Sequence, residues 1–173
     1  AILETELTRP VKLIIYNNPI QMQEALPFIS RTTTSGLITQ GQAYAEEGVL
    51  LIMAFDSLIR GITSHEVTHL LIAQAAEGPG RRVPAWLNEG LAEYGNLEAG
   101  FSYDQALLFA IREDRLLPLT HMTGRPGTPE DAIVFYGQSR NIVKFMVDNY
   151  GQRKIAELLR VFREGEGDID DAL

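Results

Sequence analysis

His65-Glu66-Val67-Thr68-His69 sets two imidazoles four residues apart with a carboxylate beside the first, and no other feature narrows the possible folds of this chain as much. Residues four apart on an α-helix share one face, about 6 Å apart along its axis, so both rings can reach a single ion. Glu66 then points toward the open side of that ion. The surrounding sequence predicts the helix this requires. Asp56 or Ser57 can cap its start, the stretch runs to about Ala76, and Gly78-Pro79-Gly80 ends it.

The chain has no cysteine, so a thiolate site is excluded and any metal must rest on histidine and carboxylate. A catalytic zinc needs a third protein ligand and a fourth position for water. Trp86-Leu87-Asn88-Glu89-Gly90-Leu91-Ala92-Glu93-Tyr94 follows on a second predicted helix, which Pro84 opens where a missing N–H costs nothing. Glu89 is the natural third ligand to His65 and His69.

The rest of the chain divides into a strand-rich beginning and a helical remainder, which predicts an α+β fold. Val11–Tyr16 is apolar and β-branched enough for a strand, and Asn17-Asn18-Pro19 turns into a short helix near Gln21–Leu26. Residues 31–48 are rich in Thr, Ser and Gly and predict loop and hairpin. Val49–Phe55 is continuously apolar between Gly48 and Asp56, which suits a buried strand or the start of a helix. Further helices are expected at Tyr103–Arg115, at Glu130–Tyr150 with Gly151 as its stop, and at Gln152–Arg163.

At 173 residues with 45% hydrophobic content, the chain fits one globular domain over residues 1–173. A formal net charge of -8 with scattered basic residues argues against nucleic acid as a partner. The longest apolar run is far short of the ~20 residues of a membrane span. The opening at Ala1 and the close at Asp168–Leu173, which reads as a capped helix beginning, lead us to expect a fragment of a longer protein.

Taken together, HEVTH and WLNEGLAEY resemble the glutamate zincins, the thermolysin-like and aminopeptidase N-like peptidases, and especially the small peptidase-MA-like domains. Phe135-Tyr136-Gly137-Gln138-Ser139, ahead of a helix ending Tyr150-Gly151, fits the same resemblance, which covers most of the chain. It implies a thermolysin-like catalytic domain, with a small N-terminal mixed sheet over the motif helix and helices beyond it. It also implies Zn2+ on His65, His69 and Glu89, with Glu66 as general base for hydrolysis of a peptide or unfolded protein substrate. By the same resemblance Glu93 holds His65, Asn88 holds His69, and Tyr136 donates to the oxygen that becomes negative. The spacer of nineteen residues between His69 and Glu89 is about one longer than the aminopeptidase pattern.

The resemblance further implies that Val49–Phe55 lines the cleft, its exposed edge taking up an extended peptide. Gly41–Gly48 (GQAYAEEG) is similar to the Gly-x-Met-Glu-Asn stretch that captures a free amino group, but lacks its methionine and asparagine. An aminopeptidase is therefore not expected, and Glu46 and Glu47 are either amine readers or a plain acidic turn. His121, alone in a Pro/Gly-rich loop, is given no role. A competing function is a catalytically inert, zinc-stabilised binding or regulatory domain of a larger envelope protein. The expected location is extracytoplasmic or membrane-tethered, with any membrane span outside this chain.

Overall fold

The computed structural model describes residues 3–26, 40–54, 58–77, 82–98 and 101–165, with backbone alone at residues 101 and 102. Its sheet is built from β1 (Lys12–Tyr16), β2 (Gly41–Tyr44) and β3 (Val49–Met53) in the order β1-β3-β2. β1 runs parallel to β3, pairing Lys12 with Val49 through to Tyr16 with Met53, while β2 runs antiparallel, pairing Gly41 with Ile52 and Tyr44 with Val49. The apolar run from Val49 is thus the central strand. Its continuous hydrophobicity follows from burial on both faces. Leu51 and Met53 pack with Met22 and Leu26 on one face, and Leu50 and Ile52 pack with Ile62 and Leu70 on the other.

This order corrects the expectation that Val49–Phe55 offers an exposed edge. Both edges of β3 are paired, and the outer strand lying against the motif helix is β2. Phe55 falls outside the described residues.

Six helices complete the described part of an α+β fold: α1 (Pro19–Ala25), α2 (Ile59–Ala75), α3 (Ala85–Gly95), α4 (Phe101–Arg112), α5 (Pro129–Tyr150) and α6 (Gln152–Glu164). The predicted caps of α2, Asp56 and Ser57, and its predicted stop, residues 78–80, fall outside the described residues. At the N-terminus of α2 the Gly61 N–H donates to the Glu98 carboxylate at 3.1 Å, so a distant acid meets the positive end of the helix dipole. α4 starts two residues earlier and stops three earlier than the sequence suggested. α5 begins with the Asp131 N–H donating to Thr128 Oγ1 at 3.2 Å and ends at Gly151, whose φ of 83° turns the chain into α6. The predicted helix start at Asp168 falls outside the described residues.

The helical half shares one core, in which Leu87 and Leu91 of α3, Phe135 and Val143 of α5, and Ile155 and Leu159 of α6 are almost fully buried. Each such leucine contributes roughly 1.5–3 kcal/mol of burial, so packing more than helix propensity fixes α3 beneath α2. None of the described helices is long and apolar enough to cross a membrane.

Candidate metal centre

α2 and α3 lie side by side, and their facing sides bring His65, His69 and Glu89 together. The i, i+4 spacing stands the two imidazoles next to each other, with ring centroids 4.8 Å apart and planes crossing at 80°. Their Nε2 atoms are 3.1 Å apart, and Glu89 Oε2 lies 3.4 Å from each. Four ligands at about 2.0–2.1 Å from a tetrahedral zinc would sit about 3.3–3.4 Å from one another. The observed triangle has that size.

The chemistry of the three atoms fits a cation as well. His65 Nδ1 is 3.0 Å from Glu93 Oε1, and His69 Nδ1 is 3.0 Å from Asn88 Oδ1. With each Nδ1–H donating outward, each Nε2 turns a lone pair toward the shared centre. Glu89 Oε2 is buried there without a hydrogen-bond partner. Three electron-rich atoms facing one point is costly unless something positive occupies it. His65, His69 and Glu89 can hold a metal ion.

Without a metal, protons take over part of that task. Burial works against a charged His65, but the Glu89 and Glu93 carboxylates beside it prevail and push its pKa up to about 10. Burial likewise opposes ionisation of Glu89, yet His65, His69 and the Arg125 guanidinium hold its carboxyl well below the usual range. Glu66 behaves in the opposite way. Burial raises its pKa against the pull of His69 and His65. The Glu66 side chain lies against β2 at Gly41, where an added Cβ would come within 2.5 Å of Oε1. Only a residue without a side chain leaves the carboxylate that place.

The far wall comes from α4, α5 and the loop before α5. Tyr136 stacks on Tyr103 with centroids 5.9 Å apart, and burial together with nearby carboxylates raises both phenols above their ordinary range. Close backbone approaches set this wall. A Cβ on Gly90 would meet the Ser139 carbonyl at 2.5 Å, and one on Gly137 would meet the Tyr103 carbonyl at 2.8 Å. Glycine at these points lets α5 settle against α3 and α4 and carries Tyr136 toward Glu89.

Arg125 is a member of the site that the motifs did not point to. Its Nε donates to Glu89 Oε1 at 2.8 Å, and its Nη2 donates to the same oxygen. The signal available in the sequence was a lone cation in the Gly/Pro-bounded stretch Thr123-Gly124-Arg125-Pro126-Gly127, a rigid loop that presents a charge. Tyr103 carried no comparable signal. Asn96 was also missed; its Nδ2 donates to Glu93 Oε2 at 3.3 Å, tying the turn after α3 to the partner of His65.

Glu46 and Glu47 do not join the site. Both are exposed in the turn beyond Tyr44, about 10 Å or more along the strand from Gly41. They form the plain acidic turn, and the amine-reading alternative has no support. His121 is exposed on a short 3-10 turn, Leu119–His121.

The family comparison agrees with this geometry. The chain matches the family model of the peptidase MA superfamily over residues 2–173 and belongs to that superfamily. It is a zinc-peptidase-like domain with a site able to hold a metal. Neither a curated protein nor a solved structure gives a significant match.

Proposed function

We propose that this chain is a zinc-dependent peptidase that adds water across a peptide bond, in a thermolysin-like arrangement with His65, His69 and Glu89 as ligands. The triangle of Nε2, Nε2 and unpartnered Oε2 atoms carries this reading. Bound there, zinc supplies a Lewis acid that polarises the scissile carbonyl and makes water a nucleophile near neutral pH. The remaining work falls to the chain's own side chains. Glu93 and Asn88 orient the two imidazoles.

Glu66 receives the proton of the attacking water and passes it to the departing amine nitrogen as the carbon–nitrogen bond breaks. Its raised pKa suits a group that must both take and return a proton. Tyr136 stays protonated at neutral pH, so its hydroxyl can donate to the carbonyl oxygen as negative charge grows there. Among the described residues β2 pairs on one side only. Its other edge offers backbone hydrogen bonds to an extended peptide or unfolded segment, beside Glu66.

Replacing Glu66 with Gln tests the mechanism. Zinc content should be unchanged, and chelator-sensitive cleavage of a peptide library should fall by about 10²–10⁴-fold. Wild-type cleavage by Glu66→Gln would remove Glu66 from the reaction. A wild-type protein that binds zinc and cleaves nothing would favour the inert binding domain.

A further inference from the structure

The reaction as derived makes no use of Arg125, although its guanidinium directs two donors at the third ligand. A carboxylate can meet a metal through one oxygen or both, and the choice decides whether a three-residue site keeps a place free for water and substrate. Glu89 is nearly inaccessible to solvent. Its two oxygens differ sharply. Oε1 accepts from Arg125 Nε and Nη2, while Oε2 has no partner and faces the imidazoles.

We propose that Arg125 is a positioning residue that occupies Glu89 Oε1, restricts the glutamate to ligation through Oε2, and thereby keeps one coordination position open. The inference rests on the metal centre proposed above. A planar guanidinium suits the task because two of its N–H groups converge on one acceptor at fixed geometry, which a lysine ammonium cannot reproduce.

The placement of Arg125 is set by the helix that carries Glu89. Pro84 gives α3 no side-chain cap, and the first-turn N–H groups of Ala85 and Trp86 donate instead to the carbonyls of Thr123 and Met122, at 3.1 and 3.0 Å. Met122 is fully buried in the core. The loop is therefore docked on the start of α3, and Pro126 restricts the chain just beyond Arg125. Glu89 and Arg125 take their positions from one helix despite lying 36 residues apart. By formal charge, a divalent cation and Arg125 balance Glu66, Glu89 and Glu93, so the guanidinium also completes the neutrality of a buried site.

The Arg125 side chain is 57% exposed, so Arg125→Met removes the fork without opening the core. The measurement is cobalt(II) loading of the whole chain, read by metal stoichiometry, visible absorption and X-ray absorption. Wild type should take one ion per chain with the intense bands of a four-coordinate site. Arg125→Met should still take one ion but show the weaker bands of five-coordination as Oε1 joins, with turnover of the zinc form down about 10–100-fold. Arg125→Lys should fall between them. An Arg125→Met spectrum identical to wild type overturns the inference, and lost turnover with that unchanged spectrum would assign Arg125 to the substrate instead. A wild-type chain that takes up no metal overturns the metal centre and this inference with it.

Discussion

The two walls of the site are built on different principles. On the α2–α3 wall, His65, His69, Glu89 and Glu93 stand at i, i+4 intervals on two helices, so each helix presets its own pair and the shared core need only bring the two faces together. On the opposite wall, Tyr103, Tyr136 and Arg125 come from two helices and a loop, and no local spacing relates them to the histidines. They arrive through the glycine contacts of α3 and α4 with α5 and through loop carbonyls that cap α3. On the function proposed above, the first wall supplies the ligands and Glu66, while Tyr136 on the second acts on what the ion holds and Arg125 steadies Glu89. Damage to each should therefore separate binding from chemistry.

The sharpest break is between Glu89→Gln and Tyr136→Phe. Glu89→Gln should abolish stoichiometric zinc binding and all cleavage with it, a larger loss than the about 10–100-fold typical of an outer partner. Tyr136→Phe should keep its zinc and lose about 10²–10³ in kcat with little change in KM, as expected when one donor to a developing oxyanion is removed. Metal analysis beside steady-state kinetics checks both. Equal zinc loss in the two variants would erase the distinction between the walls.

Gly90→Ala probes the joint where the walls meet. The new methyl would press on the backbone carbonyl of Ser139, which has no flexible end to yield. A stability loss of about 1–3 kcal/mol is expected, with cleavage weakened more than zinc affinity as α5 moves away. Denaturant melts and zinc titration measure the two effects. Cleavage that survives intact while stability falls would show that Tyr136 does not depend on this contact.

The smallest effect is on pH dependence. His65 in the metal-free fold has its pKa raised to about 10 from 6.5, so the stability it contributes is complete below pH 6.5 and disappears as pH climbs through about 10. The melting temperature of the chelated protein should drift downward across that window. The stabilisation conferred by zinc should grow over the same range, because fewer protons compete for the imidazole. Glu93→Gln, which removes one of the groups that raise this pKa, should flatten the drift, and an unchanged slope in that variant would separate His65 from it.

Much of the first wall was legible in the amino-acid order. Helical spacing is a property of neighbours along the chain, so HEVTH and the Glu89–Glu93 interval announced two metal-facing surfaces before any packing was known. The element pattern was equally local: Val11–Tyr16 as a strand, Pro84 at the head of α3 and Gly151 at the end of α5 each follow from residue type. Val49–Phe55 marks where that reading ended. Its apolar run predicted a buried strand as one of two readings, but burial on the two faces comes from Met22 and Leu26 and from α2, and pairing on both edges from β1 and β2, so the run itself could not say that β2 would be the outer strand.

What folding alone decided was which distant groups share space with Glu89. Arg125 lies 36 residues beyond it and is placed by backbone carbonyls that any residue types would have supplied. The stacking of Tyr103 on Tyr136 depends on helices meeting at glycines whose importance lies in what touches them. Spacing along a chain encodes geometry only within an element. Between elements, position is set by the packing of many side chains at once, and no single residue carries it.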